Sequence, residues 1–277
     1  IEMSPIPTPT EDLVRQFRAA LEPEIAAFDA AQKEYCTDHT LRRYLVARRS
    51  NIEKSLKMLL ATLEWRREMD VENISAESVK PNGISGKMLV RGADKKGRPI
   101  FLMRAGYERT RDDHDGNIRH IVYHLERARS YLDEGAGIGK LLVVLDFHGQ
   151  TRANQTPMKT SKEVMNILQN HYPERLGKFL VLSAPWYFNA FFSIVSPFID
   201  PITREKIKFV NGDREHQRAT LNEHLDLSMV PKTVAGDADD ETFFDPEVYF
   251  CKADELRGHA LVKEMRRKYG VAGGAAN

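Results

Sequence analysis

With 277 residues, 42% of them hydrophobic and 29% charged, the chain is long enough for one large domain or for a helical lobe joined to an α/β one. A net charge of +1 excludes the strongly basic footprint of a nucleic-acid binder. The two cysteines, Cys36 and Cys251, have neither metal nor redox spacing and build no disulfide framework, which points to a reducing cytoplasmic setting.

Taken in chain order, the stretch through Pro5, Pro7 and Pro9 reads as a disordered lead-in, with Ile1 and Glu2 as additions ahead of Met3. It has no basic-then-apolar secretory pattern, and no run anywhere approaches the roughly 18 apolar residues of a membrane span. Residues 10–80 read as helices only. Thr10, followed by two acids, opens a helix near Asp12 that is expected to be interrupted around Pro23. Asp38 is read as the cap of a short basic helix. Asn51 caps another, in which Ile52, Leu56, Leu59, Leu60 and Leu63 repeat at helical period.

From about Gly86 the pattern changes. Two β-type runs flank Asp94-Lys95-Lys96-Gly97, a hairpin signal in which Gly97 supplies the positive φ. An amphipathic helix follows, with Ile118, Ile121, Val122, Leu125 and Leu132 on one face. The run "KLLVVLDF" at 140–147 reads as a strand buried on both faces. Then come a helix over 159–171, a second buried strand in "KFLVLSAP" and a third in "IKFV" at 207–210. Strands alternating with helices predict an α/β lobe with a mostly parallel sheet over 81–250. A C-terminal helix spans 251–269, where Arg266-Arg267-Lys268 suit the negative helix pole, and 270–277 is a flexible tail.

Three segments carry chemistry. In "APWYFNAFFSIVSPF", residues 184–198, the apolar positions spread over about 160° of a helical wheel, wider than the roughly 100° stripe of a surface helix. Either the helix is fully buried, or one side faces an internal cavity and another meets a membrane. In "IDPITREKIKFV", Asp200 and Pro201 open a helix that brings Thr203 and Lys206 to one side. Free N–H groups, a hydroxyl and an ammonium make a phosphate site there, against the alternative of a solvated charged turn. In "YPER", Glu174 and Arg175 form either a surface charge pair or, through Glu174, an acceptor for sugar-type hydroxyls.

His120 and His124, four residues apart, have the spacing of paired metal ligands. The wheel nevertheless sets them opposite the apolar stripe, so they are expected on a solvated polar face. Asp146 and His148 sit at a strand end, where α/β ligands bind, but no nucleophile motif or phosphate loop accompanies them. The sequence reads as that of a non-enzyme.

Together these segments resemble the CRAL-TRIO lipid-binding family, its phosphatidylinositol-transfer branch most closely. The resemblance is carried by "LRRYLVARRSNIEKSLKMLLATLEWRR" at 41–67, "DKKGRPIF" at 94–101, "LLVVLDFHG" at 141–149 and "YPERLGKFLVLSAPWYFNAFFSIVSPFIDPITREKI" at 172–207. It implies a helical N-terminal lobe at 10–80 and a lipid-binding lobe at 81–250 whose sheet floors an apolar pocket under a gate helix. It implies a one-lipid carrier at home in the cytoplasm and peripheral at membranes, with no cofactor beyond its cargo. Its partners would be phosphatidylinositol, a transient membrane surface and lipid kinases, and the chain would be a monomer. A module presenting its lipid to a kinase or scaffold, or a carrier of a sterol, tocopherol, retinoid or haem, are the alternatives. By resemblance the headgroup falls to Arg48, Glu174, Thr203 and Lys206. Pocket and gate fall to Phe101, Leu141, Val143, Trp186, Phe188, Phe191, Phe192, Val195 and Phe198. Where relatives that bind phosphatidylcholine carry hydroxyls and tyrosines, Leu141, Val143, Val90 and Phe101 stand here, so choline-lipid binding is not expected. Ala235 stands where the family usually has glycine.

Overall fold

The computed structural model describes residues 8–271, excluding the side chains of Phe191, Val195 and Phe198. The lead-in up to residue 7 and the tail from residue 272 lie outside the described residues. In chain order the elements are α1 (Glu11–Ile25), α2 (Ala30–Tyr35), α3 (Asp38–Ala47), α4 (Ile52–Met69), α5 (Ala76–Gly83), β1 (Met88–Ala93), β2 (Pro99–Arg104), α6 (His114–Ser130), β3 (Leu141–Asp146), α7 (Met158–His171), β4 (Leu176–Leu182), α8 (Trp186–Val195), α9 (Pro201–Glu205), β5 (Ile207–Val210), α10 (Arg214–His224), α11 (Asp240–Phe243), α12 (Pro246–Tyr249) and α13 (Lys252–Lys268). None of the described helices is long and apolar enough to cross a membrane. The chain divides into two compact units, one of residues up to 73 with 163–174, the other of 74–162 with 175 onward.

The first unit is helical. Thr10 and Asn51 cap α1 and α4 as the sequence predicts, each side chain accepting a backbone N–H three residues on. Phe17, Leu21, Leu41, Leu45, Leu59 and Leu63 close its core, with Ile52, Leu56 and Leu60 packed around it. Two local readings are corrected. The cap of α3 is Thr37 rather than Asp38, because a hydroxyl at the residue before the first turn reaches the Thr40 N–H. Helix α1 continues past Pro23 through Glu24 and Ile25, since the one backbone bond lost to proline falls in the last turn.

The second unit is built on a five-stranded sheet in the order β1-β2-β3-β4-β5, antiparallel between β1 and β2 and parallel thereafter. The hairpin turns at Gly97, whose φ is 76°. Helix α6 ends at Ser130, so Leu132 lies beyond it. The cluster at the end of α13 does more than neutralise a helix pole. Buried Arg266 donates to the carbonyls of Gly97 (3.0 Å) and Tyr131 (2.7 Å), tying α13 to the hairpin turn.

Helix α6 departs most from its sequence reading. His120 and His124 are fully buried rather than solvated. The His124 ring stacks near Phe101 on β2 and Tyr249 on α12. Periodicity identifies one apolar stripe, but α6 is covered on two sides, and the second cover of C-terminal aromatics comes from a remote part of the chain. Burial drives His124 down to about 3 and His120 well below its ordinary range, so both are neutral near pH 7.

Candidate functional site

The sheet presents two unlike faces. On one, Leu89, Ile100, Leu102, Leu142, Val144, Leu180, Leu182 and Val210 are at most 2% exposed. The other face carries the cross-strand row Val90, Phe101, Val143, Phe179 and Ile207, and beside it the row Met103, Leu145, Val181 and Phe209. There Val90, Phe101, Leu141 and Val181 are buried, but Val143, Leu145, Phe179, Ile207 and Phe209 are only half-buried. The expectation that β3 is buried on both faces therefore fails for Val143 and Leu145. Full burial of a large apolar side chain contributes about 1.5–3 kcal/mol, so five left partly uncovered forgo about 2–3 kcal/mol together. Such an apolar surface on an interior sheet marks a contact surface rather than packing.

Helix α8 lies against that half-covered face. The Phe188 ring is 4.5 Å from Phe147 and 6.2 Å from Phe209, and Phe192 meets Phe209 edge-on at 5.0 Å. The Tyr187 hydroxyl donates to the Gln150 side chain. Outward, Trp186 is 81% and Ile194 70% exposed. The helix is thus apolar toward the sheet and apolar toward solvent, which removes the reading of a fully buried helix. Phe191, Val195 and Phe198 belong to this segment, but their side chains are not among the described ones. Helix α8 is approached through Ser183, a left-handed residue at φ 54° whose hydroxyl accepts from Gln217 at 2.9 Å.

The four polar candidates fall two to each unit. Thr203 lies in α9 and Lys206 closes it, the helix being capped by Asp200, which accepts from the Ile202 and Thr203 N–H groups. The Lys206 N–H donates to the Thr203 carbonyl at 3.1 Å, and the Lys206 carbonyl accepts from Phe179 at 2.9 Å, fixing both residues at the edge of β4. Arg48 closes α3 and is followed by Arg49 (φ 51°) and Ser50 (φ 63°), two successive left-handed residues that turn the chain sharply. Glu174 is itself left-handed at φ 58°, a conformation that costs a non-glycine residue about 1 kcal/mol or more. Glu174 and Arg175 do not behave as a surface pair. Arg175 is buried, pairs with Glu134 and donates to the Gly139 carbonyl at 2.9 Å.

Asp146 and His148 do not assemble an acid/base couple. The buried Asp146 carboxyl accepts the backbone N–H of His148 at 3.0 Å, while the imidazole is exposed. Burial raises the Asp146 carboxyl above its usual range, partly offset by that bond. Among the described residues no cluster of three or more His, Cys, Asp or Glu could hold a metal. Sequence reasoning missed Leu145, Phe179, Ile207 and Phe209, although the two-residue alternation of their strands relative to Val143 carried the signal.

The model of the CRAL/TRIO domain matches residues 84–236, which contain the sheet, α8 and α9. The chain belongs to the CRAL/TRIO domain family. The chain is 36% identical over 178 residues to a CRAL-TRIO domain-containing protein of Schizosaccharomyces pombe, covering 64% of this chain and 17% of that protein. It is 30% identical to the phosphatidylinositol transfer protein PDR17 of Saccharomyces cerevisiae, over 67% of this chain and 55% of the relative. The chain thus spans little more than half, or less, of these relatives. The crystal structure of Sfh5 has the same fold at 18% identity, with a TM-score of 0.62 over 76% of this chain and 83% of that one. Within CRAL/TRIO, the glycine usual at position 235 has a local reason: Ala235 is left-handed at φ 61°. Gly236 beside it has no room for a Cβ, which would meet the Val230 carbonyl oxygen at 1.9 Å.

Proposed function

We propose that this CRAL/TRIO chain binds one phospholipid of the phosphatidylinositol type and exchanges it between membranes. The observation that carries the reading is the asymmetric sheet: a sealed face, and opposite it an apolar face left half-covered beneath α8, a helix that also turns Trp186 and Ile194 to solvent. Acyl chains are the natural complement of such a floor. Some thirty methylenes, at about 0.8 kcal/mol each, make a diacyl lipid cost on the order of 20 kcal/mol to expose to water. An outward-facing apolar helix suits transient insertion into a bilayer surface.

For the headgroup, the reading takes a hydroxyl and an ammonium from Thr203 and Lys206, a guanidinium from Arg48, and the carboxylate of Glu174 as acceptor for inositol hydroxyls. Relatives named as phosphatidylinositol transfer proteins support the same choice. Mass spectrometry of lipid extracted from the purified chain, with transfer of labelled phosphatidylinositol between vesicles, tests it. Phosphatidylinositol should dominate the extract or load competitively, and transfer should proceed without a partner protein. Extracts holding only sterol, retinoid or haem would overturn the assignment. Phosphatidylinositol that is bound but not transferred would favour a presenting module.

A further inference from the structure

Helix α8 is held to the rest of its unit by two kinds of contact. Phe188 and Phe192 meet Phe147 and Phe209 through apolar rings. Acyl chains supply such contacts about as well as protein does, so a helix leaving the sheet for a bilayer gives them up at little net cost. Hydrogen bonds differ, because an acyl chain has neither donor nor acceptor. Asn189 and Ser193 bond only within the segment, to the Ala184 and Asn189 carbonyls. Among the described side chains of α8, Tyr187 alone reaches outside it, its half-buried hydroxyl donating to the Gln150 side-chain carbonyl.

Gln150 stands on a loop that is fixed. Asn154 accepts the Thr151 N–H at 2.6 Å and donates to the Gly106 carbonyl at 2.9 Å. Arg111 donates to the Arg152 and Ala153 carbonyls at 3.1 and 3.2 Å. The turn at Gly106 touches the loop backbone to backbone, and a Cβ there would meet the His148 carbonyl oxygen at 2.3 Å. The chain entering α8 is built differently. The Ser183 N–H reaches the Val210 carbonyl only at 3.4 Å, a stretched last rung between β4 and β5, and its left-handed φ of 54° turns the chain out of the sheet. Gln217 holds the Ser183 hydroxyl at 2.9 Å, which makes Ser183 a pivot.

We propose that Tyr187 and Gln150 form the latch of α8: their hydrogen bond is what opening must break, and it sets how often the helix is free to enter a bilayer. The inference rests on the reading of α8 as the moving helix of a lipid carrier, and it makes Gln150 a positioning residue outside the lipid site. Once open, the phenol suits the bilayer interface, its ring toward acyl chains and its hydroxyl toward water. A chain that binds vesicles only when open does so with an apparent affinity scaled by its open population. Losing one hydrogen bond should raise that population about five-fold, equal to about 1 kcal/mol at roughly 1.36 kcal/mol per tenfold.

The chain has two tryptophans, so Trp65→Phe leaves the exposed Trp186, beside Tyr187 on α8, as the reporter. Phosphatidylcholine vesicles with brominated acyl chains quench it when α8 inserts, and transfer of labelled phosphatidylinositol is measured on the same proteins. Tyr187→Phe and Gln150→Leu should each lower the vesicle concentration for half-maximal quenching, and raise the transfer rate, about five-fold. Both should melt cooperatively within about 4 °C of the parent. Combined they should do no more than either alone, whereas independent effects would multiply to about 25-fold. Gln150→Glu keeps an acceptor and charges it, so it should move both readings the other way. Unshifted half-points or rates, a multiplying double variant, or Gln150→Glu behaving as Gln150→Leu overturns the latch. If quenching shifts as expected while the parent transfers no phosphatidylinositol, the carrier reading falls and the latch stands. If the parent transfers but Trp186 is quenched in no form, α8 does not insert and the latch falls alone; neither quenching nor transfer removes both.

Discussion

Phe192→Asp separates a moving helix from a core helix. Phe192 is half-buried with its ring 5.0 Å from Phe209. Its removal forfeits an aromatic pair worth about 1 kcal/mol and about half of the roughly 3 kcal/mol that full burial of phenylalanine contributes. The sum is about 2.5 kcal/mol. On a helix whose Trp186 and Ile194 lie open to solvent, the new carboxylate reaches water and escapes most of the penalty of a buried charge. In a domain of this size 1 kcal/mol moves the melting temperature by about 2–4 °C, so a fall of about 5–10 °C with a cooperative transition is expected. Leu180→Asp is the contrast: fully buried on the sealed face of the sheet, it should cost several kcal/mol more and prevent folding. Vesicle-to-vesicle transfer of labelled phosphatidylinositol, measured on Phe192→Asp and on the milder Phe192→Ser, should be lost in the first and reduced in the second. If Phe192→Asp collapses like Leu180→Asp while Phe192→Ser transfers like the parent, α8 is a core helix and the release mechanism fails.

Thr203→Ala/Lys206→Ala should abolish phosphatidylinositol transfer and leave the melting temperature within about 2–4 °C, because both side chains are half-buried at the edge of the fold; undiminished transfer would remove them from the headgroup site. Phosphatidylcholine exchange should be weak, since Leu141 and Val143 offer no donors to its headgroup, and efficient exchange of the labelled lipid would contradict this. Stability should fall in acid. The folded-state values of His120, His124 and His171 lie below the unfolded 6.5, so their contribution is complete above pH 6.5 and is lost as pH falls toward 4 for His171 and 3 for His124. For fully buried His124 the loss by pH 4 is on the order of 3 kcal/mol; His124→Phe should flatten that limb of the melting curve, and an unchanged limb would disprove the cause. Ala235→Gly should raise stability by about 0.5 kcal/mol by relieving a left-handed alanine, readable as a higher denaturant midpoint.

The sequence by itself determined whatever depends on neighbours along the chain. The caps at Thr10, Asn51 and Asp200, the hairpin at Gly97, the strands at 141–146, 176–182 and 207–210 and the C-terminal helix are local, because a hydroxyl three residues from an N–H or an apolar run between turn residues is a short-range fact. Motif order then sufficed for the family. Tertiary structure decided what depends on a second layer. It buried His120 and His124, because aromatics from residues 249–250 cover the side of α6 that periodicity assigns to water. It turned Arg175 inward to Glu134 and left Glu174 in a left-handed conformation. It also left Val143 and Leu145 half-covered while sealing Leu142 and Val144, a distinction invisible in the uniform apolar run "LLVVL". An apolar pattern reports that a side chain avoids water. Whether protein or a bound molecule covers it is set only when the layers meet.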